Sequence, residues 1–188
     1  MAMKAVVVCG SRNPRGQTGR AAEVVVEGLR SGSAEVSVVY LPERAIERCR
    51  QCDDDGWGLC RREGTCVIED DFASIVATIR TADAVVFATP VYFSDLAESL
   101  RAFLDRVRRT SRFVDGAAGI TGKPAVGVCV AGGGGGGAPS CCAILTGILQ
   151  TCGFDVVDML PVRRQNLEAK LAQLRLAGRW LVVQTVGP

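Results

Sequence analysis

The chain has 188 residues, of which 48% are apolar, and a formal net charge of +2. That length suits one domain with a real core, and the near balance of charge excludes an electrostatic case for nucleic acid or a membrane as partner. There is no histidine, which excludes histidine triads, histidine-ligated metals and histidine acid–base steps.

The first apolar run, residues 5–9, is too short for a secretion signal or a membrane span. Nine cysteines then read as thiols of a reducing compartment, so the expected location is cytoplasmic. Apolar runs alternate with amphipathic stretches, the pattern of a parallel sheet covered on both faces. Residues 5–8 are the first predicted strand. A helix follows from about Thr18, with Ala22, Val25, Val26 and Leu29 at helical spacing. Residues 36–41 are the second strand, ended by Pro42.

Residues 43–69 differ. They are rich in Cys, Asp, Gly and Arg, lack a period and read as an inserted loop. Asp70 and Asp71 start the next helix, with Phe72, Ile75, Val76 and Ile79 on one face. Residues 84–87 are the third strand. The helix after it carries Leu96, Leu100, Phe103, Leu104 and Val107 on one stripe, and Arg106, Arg108 and Arg109 on an expected solvated face. Residues 125–130 are the fourth strand, followed by six glycines (132–137) and a helix from near Pro139. Residues 154–162 are the fifth, and Asn166 is the expected cap of a final helix with Leu167, Leu171, Leu174 and Leu181 inward. Five strands and five helices, without repeat or linker, predict a single α/β domain over residues 1–188.

Two loops carry the chemistry. Gly10-Ser11-Arg12-Asn13-Pro14-Arg15-Gly16-Gln17-Thr18 joins a strand to a helix N-terminus, where backbone N–H groups and the helix dipole favour a phosphate. Ser11, Thr18 and Gln17 add polar donors, and Arg12 or Arg15 a charge. No Gly-Lys-Ser/Thr ends the loop, so it is not a P-loop; an ordinary strand–helix turn is the rival reading. Thr89-Pro90-Val91-Tyr92-Phe93-Ser94 follows the third strand, where open α/β sheets bind ligands. Pro90 and Tyr92 would form a flat wall for a ring, unless Tyr92 and Phe93 are core aromatics. Ala131, Gly132, Gly133 and Gly134 begin a stretch whose backbone N–H groups could face the ring's far edge. A dinucleotide fingerprint across it carries little, because any run of six glycines matches. A ligand-free loop is the other alternative. A phosphate site and a ring site together point to flavin mononucleotide, FMN.

Cys49, Cys52, Cys60 and Cys66 fall within the inserted loop. Their types suit a [4Fe–4S] cluster, a structural zinc or unliganded thiols, and the spacing leaves all three open. Asp53, Asp54 and Asp55 beside Cys52 would lower a cluster's potential. Cys9, Cys129 and Cys152 read as core, and Cys141 and Cys142 as packing residues at a helix start.

These residues, with Gly64-x-Cys66-Val67-Ile68-x-Asp70-Asp71, Ala82-Asp83-Ala84 and Phe103-Leu104-Asp105-Arg106, resemble the NADPH-dependent FMN reductase family, in the branch related to iron–sulfur flavoproteins. The resemblance covers nearly the whole chain. It implies a flavodoxin-like three-layer sandwich whose five-stranded parallel sheet runs 2-1-3-4-5, with the Cys-rich insertion after strand 2. It implies FMN with Ser11, Arg12, Gln17 and Thr18 at the phosphate, residues 90–94 along the ring and the loop from Ala131 closing the other edge. Hydride would pass from NAD(P)H to flavin N5 and on to a quinone-like or other small-molecule or protein acceptor, in a homodimer or homotetramer. Asp105 and Arg106 would be structural. Two alternatives stand beside this: an iron–sulfur flavoprotein with FMN and a [4Fe–4S] cluster reduced by a ferredoxin, and a flavin-free binding protein with a zinc-stapled loop. The third cysteine lies farther from the second than the family's usual spacing, and Arg101 stands where lysine is usual.

Overall fold

Valine- and alanine-rich runs form the strands that the alternation predicts. The computed structural model describes residues 2–111 and 118–186, so residues 1, 112–117 and 187–188 of the expected domain lie outside the described residues. β1 (Lys4–Cys9) pairs in parallel with β2 (Glu35–Tyr40) and β3 (Ala84–Tyr92). β3 also pairs in parallel with β5 (Pro124–Ala131), and β5 with β6 (Asp155–Arg163). The sheet order is β2-β1-β3-β5-β6. These five strands keep the predicted neighbours. The sheet has a sixth strand that the expectation omitted: β4 (Asp95–Leu96) folds back antiparallel on β3. Two residues offer no periodicity to read.

Successive strand side chains point to opposite faces. Val6 and Val8 join one buried cluster, with α3 (Phe72–Thr81), α4 (Glu98–Ser111) and α5 (Ala138–Cys152). Ala5, Val7 and Cys9 join the other, with α1 (Gln17–Ser31) and α6 (Leu167–Val186). A further single turn, α2 (Leu59–Arg62), lies inside the segment expected to be a plain loop.

Two glycines set the spacing of α1 and α6. A Cβ on Gly28 would lie 2.1 Å from the Arg175 carbonyl oxygen, and one on Gly178 would lie 2.4 Å from that of Val25. Any side chain at either position forces the helices apart. Arg20–Glu168 and Arg175–Glu27 ion pairs span the same interface at the surface.

The start of α3 explains how the inserted segment is held. Asp70 accepts the Phe72 N–H at 3.1 Å with one oxygen and the Glu47 N–H at 2.8 Å with the other. Asp71 accepts the Ala45 N–H at 2.9 Å. Asn166, expected to cap the final helix, instead accepts the Arg163 N–H at 2.8 Å and closes the 3-10 turn (Arg164–Asn166) just before α6.

Candidate functional site

The carboxyl ends of β3 and β5, with the segments that follow β1, β3 and β5, line one cavity of about 850 Å³, through residues 16–18, 90–94 and 130–137. It lies at the carboxyl ends of the parallel strands, as such sheets favour.

The first loop is built largely by its own side chains. Ser11 Oγ accepts the Asn13 N–H at 3.2 Å, and Asn13 Oδ1 accepts the Arg15 N–H at 3.1 Å. The Gly16 N–H donates to the Asn13 carbonyl at 3.0 Å. α1 then starts with Gly16 as its cap and no acidic residue in its first turn. Arg20 makes the first helical bond, to Gly16, so the N–H groups of Gln17, Thr18 and Gly19 have no helical acceptor. With the dipole's positive end, they form an anion-favouring terminus. Gly19 is required by contact, since a Cβ there would lie 1.7 Å from the Pro14 carbonyl oxygen.

The second loop is a two-residue hairpin turn between β3 and β4. Phe93 and Ser94 both have positive φ, +50° and +67°. Two-residue hairpins favour that geometry, yet it strains residues that carry a Cβ, and such strain gathers at functional sites. Tyr92 is exposed and Phe93 fully so, so neither is a core aromatic. The glycine run meets this turn: a Cβ on Gly137 would sit 2.9 Å from Ser94 Cα. By contrast, Gly132, Gly133, Gly134 and Gly136 have nothing within 4 Å of a Cβ position. Their backbone forms an open wall.

Gln17, Thr18, Pro90, Val91, Tyr92, Phe93, Ser94, Ala131, Gly132, Gly133 and Gly134 thus share one cavity. Ser11 and Asn13 shape the first loop without lining it. Arg12 lines an adjoining cavity of about 390 Å³ that shares Tyr92 with the first. Gly16, Val130 and Gly135 to Gly137 also line the main cavity; the unbroken glycine run was the signal for the last three.

The four cysteines converge in a different place. Cys49, Cys52, Cys60 and Cys66 line one small cavity whose wall also holds Arg50, Arg106 and Arg109. It has room for about 20 Å³, roughly one water. Among the described residues, no group of three or more metal-ligating side chains is placed to hold a metal. Cysteines ringed by arginines would suit an anionic iron–thiolate centre in charge, but the site as arranged is too tight for a four-iron cluster. All nine cysteines are free thiols.

Two of the three arginines expected on a solvated face are instead part of this wall. Arg106 and Asp70 are 1% and 5% exposed and form a two-pronged pair at 2.6 and 2.9 Å. The guanidinium lies 4.1 Å from the Phe72 ring centroid and bonds the Glu47 carbonyl. Burial works against its charge, but Asp70 and the Cys66 thiol outweigh that and raise its pKa. Burial likewise pushes the Asp70 carboxyl up; bonds from Arg106 and from the Glu47 and Phe72 N–H groups overcome this and hold it below its ordinary value. Arg109 stacks 4.4 Å over Trp57 and donates to the Gly56 carbonyl. Arg108 does stay exposed. The acids beside Cys52 line a separate groove with Arg61 and Arg62, so the charges lining the thiol cavity are positive.

Burial pushes Cys9 up to about 11 and Cys152 up to about 12, as befits core thiols. Cys129, Cys141 and Cys142 are all buried; the neighbouring Cys141 and Cys142 thiols, together with burial, push the Cys129 thiol above its ordinary value.

The sequence profile of the NADPH-dependent FMN reductases matches residues 3–167. An iron–sulfur flavoprotein of Archaeoglobus fulgidus is 30% identical over 105 residues, covering 56% of this chain and 46% of that protein. YwqN of Bacillus subtilis, proposed to be an NAD(P)H-dependent FMN-containing oxidoreductase, is 29% identical over 136 residues, 69% of this chain and 67% of its own. The chain spans about half the length of the iron–sulfur flavoproteins it matches. An NAD(P)H:quinone oxidoreductase from Methanothermobacter marburgensis superposes with a TM-score of 0.70 at 22% identity, covering 96% of both chains. An archaeal flavodoxin superposes with a TM-score of 0.65 at 14% identity, covering 98% of this chain and all of that one. Both likenesses establish the flavodoxin-like fold. With the profile spanning most of its length, this chain belongs to the NADPH-dependent FMN reductase family.

Proposed function

We propose that this protein is an FMN-dependent oxidoreductase that takes electrons from NAD(P)H and passes them to a quinone-like or other small acceptor. One observation carries the reading: three loop ends meet around one cavity, with an acid-free helix terminus on one side and bare glycine backbone on the other. Bound flavin supplies the two-electron redox chemistry. The N–H groups that open α1, with Thr18 and Gln17, hold its phosphate. Pro90 to Tyr92 give the ring a wall. The N–H groups of the glycine run stabilise negative charge on the ring when it is reduced. No side chain acts as nucleophile or general acid, which suits a chain without histidine. The free thiols agree with a reducing, cytoplasmic setting, and exposed Tyr92 and Phe93 at the cavity lip suit completion of the site by a second copy in a homodimer or homotetramer.

FMN titration tests this by the quenching of flavin fluorescence. Gln17→Ala with Thr18→Ala should weaken binding more than tenfold; unchanged affinity removes the phosphate assignment. NADPH or NADH should bleach the bound flavin anaerobically.

A second reading, an iron–sulfur centre on the four cysteines, is favoured by their gathering around one arginine-lined cavity and by the names of the relatives. The tightness of that cavity counts against it. Iron matched by sulfide in an anaerobic preparation would establish the centre. Zinc alone, or no metal, would assign the cysteines to a staple or to thiols.

A further inference from the structure

We infer that the adjoining cavity seats the ADP-ribose part of the dinucleotide hydride donor, with Arg12 and Arg44 as its anion contacts. This rests on the proposed use of NAD(P)H and assigns that donor a place.

The cavity holds about 390 Å³ and shares Tyr92 with the main cavity. A hydride donor must lay its nicotinamide against the flavin while the remainder lies elsewhere. The remainder is large, and the wall common to both cavities makes this the adjoining place for it. Ligand sites of this kind pair apolar walls with a few polar anchors. Here Leu41, Ile46 and Ala97 supply the apolar part, and Arg12 and Arg44 the cations. Neither arginine makes an ion pair with any described residue. The two come from different loops, after β1 and after β2.

A dinucleotide diphosphate carries two negative charges, and arginine forks bind such oxygens in pairs. Glu43 and Glu98 stand in the same wall. Carboxylates repel phosphate but accept bonds from ribose hydroxyls, the other polar groups of ADP-ribose. A free phosphate would need only the cations. The mixed wall matches a ligand with both kinds of group. Both arginines are exposed, as a site requires whose ligand enters and leaves in every turnover.

The test uses FMN-loaded protein titrated with ADP-ribose by calorimetry. The wild type should bind it, and NADPH should compete. Arg44→Ala should weaken ADP-ribose at least tenfold and raise KM for NADPH by a similar factor, with Arg44→Lys recovering part of the loss. Arg44 lies outside the FMN cavity, so the FMN affinity of the same variant reports whether it is folded. Absence of ADP-ribose binding in the wild type, or equal binding in folded Arg44→Ala, overturns the proposal. Failure of both NADPH and NADH to bleach wild-type flavin is a separate result, and it removes the proposed function itself.

Discussion

Two of this protein's cavities, the strand-end cavity and the thiol cavity, are made of different material. The one between the strand ends is walled largely by backbone: a helix terminus, a strained turn and a run of glycines. The one beneath α4 is walled by side chains, four thiols and three guanidiniums, locked by the buried Arg106–Asp70 pair. A backbone wall tolerates the loss of many side chains but not an added Cβ where two segments touch. A side-chain wall fails when one charged partner is removed. The same sheet thus supports two sites with opposite mutational sensitivities.

Asp70→Asn should produce the largest effect. It strands a buried guanidinium and should cost about 3–5 kcal/mol in urea unfolding. The pH dependence separates it further. The Asp70 carboxyl is held below its unfolded value, so its contribution is complete above about pH 5 and is lost as pH falls through the folded value. The wild type should therefore lose stability on acidification more steeply than Asp70→Asn; parallel curves would remove the pair from the account.

Gly19→Ala comes next. Its Cβ meets the Pro14 carbonyl, so the first loop must move, and FMN affinity should fall about a hundredfold, near 2.7 kcal/mol. Within the glycine run, position should decide the outcome. Gly137→Ala pushes against Ser94 and should weaken FMN about tenfold, whereas Gly134→Ala faces open space and should change it less than twofold. Equal effects at both positions would mean that contact with the turn is irrelevant. The smallest effect on flavin belongs to Cys66→Ser, which should leave FMN affinity within about twofold of the wild type while removing any bound metal. Lost flavin there would join the two sites that the structure keeps apart.

The sheet was legible because each parallel strand is a long enough apolar run to declare itself. β4 was not, since its two residues are set by the turn before them. The candidate cavity was legible as loops, because Gly, Pro and Ser/Thr mark where backbone is free to face a ligand. Its boundaries were less so. Arg12 sits in the phosphate-loop sequence but lines the neighbouring cavity, because the side chain's direction depends on how Ser11 and Asn13 fold that loop. The burial of Arg106 is hidden in the sequence for a related reason. On α4 it lies beside the apolar stripe, and the partners that offset its burial, Asp70 foremost, lie on a segment 36 or more residues away. Gly28 and Gly178 carried no local signal, as their partners lie on a helix distant in sequence.

That last contact has a consequence for synthesis. α1 carries the terminus that opens onto the main cavity, yet its buried face is closed by α6, which leaves the ribosome after every strand of the sheet. A nascent chain ending before Leu167 presents Ala21, Val25 and Leu29 with no α6 against them. Cofactor capture should follow that last docking, and during translation this bare stripe is a natural surface for a chaperone.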